Sequence, residues 1–288
     1  MRLLRAEPGD GLTWIRRAFR AFLKQPFGLA GLLALCAIIA FAVSWLPVVG
    51  GTLLPVLAPT GSLLFMIATA RVEAGGRPLP GALTALLGAG RPRLVELLKL
   101  GVAYLAASVL ATLLFMAFDG GATATWMEEV SSTAASAPGA SAPAASAPAP
   151  QQAPLPDARV LFSSLLRLVL LALLSVPFWH APAIVYWGRQ GFAKSLFFST
   201  MAIWRNRGAF AVYGLGWLGL SIAFAMVFSV LVALLGVPQK PSIVAVLVFV
   251  SALSFFLTLM YTSLWFTGTG CFAIDEDPPS PLPKETSP

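Results

Sequence analysis

Charge is what this chain has least of. Only 11% of its 288 residues are Asp, Glu, Lys or Arg, where soluble domains run near a quarter. That scarcity, beside a 58% hydrophobic content, excludes an ordinary water-soluble domain and makes lipid the solvent for most of the apolar surface. Cysteine is nearly absent too. Cys36 and Cys271 cannot form a disulfide framework and read as reduced structural thiols. There is one histidine, His180. No phosphate loop, dinucleotide fingerprint or metal-ligand spacing occurs, so no cofactor, metal or catalytic constellation is expected. The net charge of +7 does not point to nucleic acid, because the basic residues sit beside long apolar runs. That placement is a topology signal with a pull towards anionic lipid head groups.

What the chain does have is six such runs, and the expected fold is all-α: a polytopic membrane bundle of about six spans with amphipathic interfacial helices on the cytoplasmic side. Residues 1–26 form a basic amphipathic segment. At 100° per residue, Leu12, Ile15, Ala18, Phe19, Phe22 and Leu23 gather on one side, and Arg16, Arg17, Arg20 and Lys24 on the other. A helix of this kind is expected to lie in the membrane interface with its apolar side in lipid. The charged stretch ahead of the first run is long for a signal peptide, and the Ala40-Phe41-Ala42 triplet lies inside a run that stays apolar, so the run reads as an uncleaved span.

Residues 27–118 hold spans one to three. The second span carries Pro55 and Pro59, each of which removes a backbone donor, so a kink or break is expected. A short helix is expected after Pro80, and Glu96 and Lys99, three apart, can pair on one face. Residues 119–158 include a charge-free Ser/Ala/Pro tract and read as a disordered periplasmic linker. Residues 159–270 hold spans four to six. Pro177 and Pro182 bracket His180 and should bend the fourth span. An interfacial helix is expected over 189–205, and residues 271–288 read as a disordered acidic tail. Lysine and arginine number fourteen on one set of connectors and two on the other, which puts both termini in the cytoplasm.

The segment from Lys24 to Leu32 echoes that from Arg207 to Leu215, with a basic residue, a Phe and a Gly-Leu pair in common. Each opens a hairpin behind an amphipathic segment, as a parallel duplication would. The stretches WIRRAFRAFLKQPFGLAGL and HAPAIVYWGRQGFAKSLFFSTMAIWRNRGAFAVYGL resemble an uncharacterised family of integral membrane proteins from Burkholderia-type betaproteobacteria. The resemblance spans nearly the whole chain apart from the linker and tail. There is a looser similarity to membrane domains fused to glycerophosphodiester phosphodiesterases, although no phosphodiesterase residues are present. The resemblance implies an inner-membrane location and no reaction.

His180 would be a proton-relay candidate if a carboxylate lay at a bilayer midplane. None does, and a neutral ring bonded to a hydroxyl of the sixth span, Ser254 or Thr258, accounts for it. Ser62 with His180 would suit an intramembrane hydrolase, but no glycine follows the serine and the signal is weak. The basic residues Arg16, Arg17, Arg20, Lys24, Lys194, Arg205 and Arg207 are expected to meet lipid head groups. The function expected is that of a non-enzymatic inner-membrane protein that organises lipids or unidentified protein partners, with a channel or transporter for a small neutral solute as the alternative.

Overall fold

In lipid each backbone N–H and C=O must be satisfied within its own segment, so the apolar runs are driven into helices. The computed structural model describes residues 2–47, 49–135, 155–234 and 243–273. In chain order the described elements are β1 (Arg2–Leu3), α1 (Asp10–Lys24), α2 (Pro26–Ser44), α3 (Val49–Glu73), α4 (Gly81–Leu87), α5 (Arg91–Asp119), α6 (Ala122–Ala135), α7 (Ala158–Phe178), α8 (Ala181–Tyr186), α9 (Phe192–Arg205), α10 (Arg207–Leu234), α11 (Ile243–Cys271) and β2 (Phe272–Ala273). Among the described residues, six helical stretches are long and apolar enough to cross a membrane: Pro26–Ser44, Val49–Glu73, Arg91–Asp119, Ala158–Tyr186, Arg207–Leu231 and Val246–Cys271. The architecture is an all-α bundle, with one short strand pair joining Arg2 to Ala273 and Leu3 to Phe272.

Two compact units divide the chain, Met1–Tyr104 with Val176–Pro288, and Leu105–Ser175. In the first, the core is concentrated on one stretch of each helix. Leu63 to Ala68 of α3, Ala183 to Val185 of α8 and Leu259 to Cys271 of α11 supply it, together with Trp14, Ile15, Ala18, Ala21 and Phe22 of α1. The opposite stretch of α11, around Leu247 and Val250, stays open, as a lipid-facing surface should. Stood upright, the 29 residues of α11 measure about 43 Å, against about 30 Å of hydrocarbon. The surplus is room for the packed end to rise to head-group level.

In the second unit Asp119 is buried and accepts from the Thr123 amide at 3.1 Å and the Thr123 hydroxyl at 2.7 Å. Gly120 and Gly121 take φ of +58° and +86°, a left-handed turn that glycine enters without strain. Together they start α6. Arg167 lays its guanidinium 5.5 Å from the Phe115 ring centre.

Four expectations need correction. The second span is not broken, since one helix runs through Pro55 and Pro59. The segment 119–158 is not wholly linker, because α6 occupies Ala122–Ala135; the Ser/Ala/Pro tract over 136–154 lies outside the described residues. The segment 271–288 begins with Cys271 closing α11 and with β2, and residues 274–288 lie outside the described residues. The echo is out of step by two residues. The matching joints are Gln25 before α2 and Asn206 before α10, so the aligned Phe27 and Phe210 are not equivalent: Phe27 is 91% exposed, while Phe210 packs against Trp14 and Trp179.

Candidate functional site

The polar groups buried in the core collect around the break between α7 and α8. Pro177 and Pro182 flank it, and the second starts α8, a position where its missing N–H costs nothing. In a continuous helix the His180 amide would bond the Val176 carbonyl. Here the Ser199 hydroxyl of α9 stands between them, accepting from His180 N at 3.0 Å and donating to Val176 O at 3.2 Å. A side chain inserted into the helical ladder is a recognised cause of a sharp bend.

The His180 ring is fully buried, edge-on to Phe210 and Phe272. Its Nε2 lies 3.2 Å from Thr267 Oγ1, and so does the indole Nε1 of Trp179. Trp179 donates to Thr267 Oγ1, which also lies 2.9 Å from Leu264 O, and the direction of the His180–Thr267 bond follows the ring's tautomer. The other ring nitrogen, Nδ1, is without a partner among the described residues. The hydroxyl partner is Thr267, not Ser254 or Thr258. Thr258 gives its hydroxyl to Ser254 O, and Thr262 to Thr258 O, both at 2.7 Å, so these two hydroxyls are spent on carbonyls of their own helix. Nor are Ser62 and His180 joined, since each has a different partner.

Asn206, at the joint of α9 and α10, holds the N-terminal segment. Its Oδ1 accepts from Ala6 N at 2.8 Å, and its Nδ2 faces Leu4 O, Ala202 O and Cys271 Sγ at 3.3, 3.0 and 3.4 Å. Leu4 N adds a bond to Cys271 O at 2.8 Å. Gln25, at the equivalent joint, donates to Gly76 O at 2.9 Å. In both hairpins the amide before the first helix reaches the chain just at or past the end of the second. The sequence contains this Asn but gives no sign of its role, because the N-terminal groups it holds, Ala6 and Leu4, are 200 and 202 residues away.

The middle of the apolar face of α1, Trp14, Ile15, Ala18 and Phe22, lies on protein, while Leu12 and Leu23 at its ends stay exposed. Trp14 packs on Gly270, Gly11 on the backbone of Ala209 and Tyr213, Ile15 on Gly216, and Phe22 edge-on to Phe255 at 5.2 Å. Deeper in this seat the Tyr213 and Ser263 hydroxyls bond each other at 2.6 Å. Of the four basic residues, Lys24 bonds Glu73 at 2.7 Å, and Arg17 lies 3.9 Å from the same carboxylate and 4.6 Å from the Phe266 ring centre. Arg16 and Arg20 remain exposed.

Helix α9 is turned the other way. Its buried side is Ser195, Ser199 and Ala202, and Glu96 of α5, itself bonded to Lys99 at 2.6 Å, accepts from its first amide, Phe192 N, at 2.8 Å. Its exposed side carries Phe197, Phe198, Met201 and Trp204, with Lys194, Arg205 and Arg207 also exposed. Among the described residues, no three His, Cys, Asp or Glu side chains come together as a metal-sized group.

Six spanning helices joined by short connecting helices define a multi-pass helical membrane protein. Over 99% of its length the chain is similar, at 28% identity, to a probable inner membrane protein of Burkholderia thailandensis, covering 98% of that protein. The looser likeness to phosphodiesterase-fused membrane domains finds no support. No family model matches the chain, and no solved structure matches it.

Proposed function

We propose that this is a non-enzymatic inner-membrane protein that organises lipids and protein partners at the cytoplasmic surface, with both termini in the cytoplasm. The observation that carries the reading is how the buried polar groups are used. Ser199, Asn206, Thr267 and Tyr213 all bond backbone or neighbouring side chains, so the centre of the fold works as a fastening. The name of the Burkholderia relative supports the inner membrane, and the lysine and arginine distribution supports the orientation. The pairing of β1 with β2 agrees with both ends of the chain lying on one side.

The competing reading is a passive channel for a small neutral solute, favoured by the helix break at His180, since unwound backbone in a span often lines a path. Proteoliposomes separate the two. Under the organising reading, glycerol and urea enter them no faster than protein-free vesicles, and flux lost in His180→Ala would establish the channel. A C-terminal alkaline phosphatase fusion should be inactive; an active fusion would reverse the orientation.

A further inference from the structure

We propose that α9 is a leaflet-embedded helix, with Phe197, Phe198, Met201 and Trp204 among the lipids at head-group depth and Lys194, Arg205 and Arg207 holding anionic phospholipid there. This rests on the membrane-organising reading and names which surface meets the lipid, and which does not.

An amphipathic helix ordinarily buries its large apolar side chains in protein, as α1 does. In α9 the arrangement is inverted. The side that packs is small and hydroxylic, and Ser199 is committed to the break in the fourth span. At 100° per residue, Trp204, Phe197 and Met201 fall within about 60° of one another, and Lys194 and Arg205 lie within about 40° beyond them. Cations set at the flank of an aromatic face can snorkel to the head groups while the rings stay among the acyl chains. Water alone would be a poor neighbour for Trp204, which is 69% exposed. Arg207 keeps its guanidinium 6.0 Å from the Trp204 ring centre, so charge and ring share one locality.

The bilayer is the occupant because of where α9 is strung. It joins the fourth span, Ala158–Tyr186, to the fifth, Arg207–Leu231, and neither end can leave the membrane surface. Arginine next to tryptophan also matches that boundary, where phosphate lies above and acyl chain below. The same reasoning removes α1 from the lipid-binding surface, because its aromatic side is already covered and two of its four cations are engaged with Glu73 or Phe266.

The full chain in nanodiscs tests this. A nitroxide is placed at Phe197→Cys, or for comparison at the exposed Thr13→Cys of α1, in a Cys36→Ala background that keeps the buried Cys271. The label at 197 should be reached by oxygen in preference to a water-soluble nickel chelate, and the label at 13 should show the reverse. A label at 197 that reads as aqueous overturns the proposal, and so does spin-spin broadening there, which would mean a second copy. In the second arm, Lys194→Gln, Arg205→Gln and Arg207→Gln should each lower phosphatidylglycerol retention about fivefold. Arg16→Gln with Arg20→Gln should leave it near wild type. Retention unchanged in the α9 variants, or lost equally in the α1 variants, overturns the assignment. These outcomes are independent of solute flux, so flux alongside an intact lipid signal would sink only the organising reading.

Discussion

The Ser199 hydroxyl takes the place of the helical hydrogen bond that the His180 amide would otherwise give to Val176, at 3.0 Å from the one and 3.2 Å from the other. Ser199→Ala strands the buried His180 amide, while Val176 O keeps a long bond from Trp179 N at 3.5 Å, and one stranded group costs about 1–3 kcal/mol. Reversible unfolding in mixed micelles should show Ser199→Ala weaker by about 1–3 kcal/mol. Thr200→Ala, one residue on and exposed, should stay within about 0.5 kcal/mol. Equal effects would mean that the hydroxyl does not bridge the break.

Glycine at position 11 is set by proximity. A Cβ there would run into Ala209 O and lie 2.6 Å from Tyr213 N, both backbone atoms that cannot swing aside, whereas one at Gly9 or Gly214 would meet nothing within 4 Å. Gly11→Ala should therefore unseat α1, and limited trypsin digestion should cut after Arg16 and Arg20 much faster than in wild type. Gly214→Ala should digest as wild type does. Gly270→Ala, whose Cβ would stand 2.5 Å from Trp14 Nε1, should give an intermediate result, costing about 1–3 kcal/mol of overpacking.

Asn206→Leu should free the first residues without dismantling the bundle. The Ala6 amide loses its acceptor, and Leu4 O one of its donors. Hydrogen exchange should then accelerate selectively in residues 3–7, with little change in α3 or α11. Exchange that rises uniformly would mean that Asn206 supports the whole core.

Glu73→Gln should matter much less than its two basic partners suggest. Lys24 is 53% exposed and Arg17 45%, and exposed ion pairs give about 0–1 kcal/mol. The expected loss is under about 1 kcal/mol and should fade in high salt, where screening removes exposed charge interactions. Arg17→Ala should cost more than Arg17→Lys, because its stem and guanidinium also cover Phe266.

The six spans were legible because a run of apolar residues of the right length has one stable form in lipid. The pairing of Glu96 with Lys99 was legible because i,i+3 neighbours need no tertiary knowledge. The orientation of α1 and α9 was not. A helical wheel separates an apolar face from a basic one but does not say whether lipid or protein covers the apolar one. That depends on Gly11, Gly216 and Gly270 meeting Ala209 and Tyr213, Ile15 and Trp14 across more than two thirds of the chain. Helix α6 was missed because it is local chemistry, Asp119 with Thr123 and two left-handed glycines, placed against a tract whose composition reads as linker. Thr267 was passed over in favour of Ser254 and Thr258 because spacing along α11 carries no record of depth.

The seat of α1 has an order of arrival built into it. Its walls are Ala209 to Gly216 and Phe255 to Gly270, which are synthesised long after α1, so Trp14 and Phe22 are made before these partners exist. Until then its aromatic side has only the membrane surface to cover it, the setting in which its sequence taken alone makes sense. Truncating the chain before α10 should therefore leave α1 bound to the bilayer instead of to its own fold.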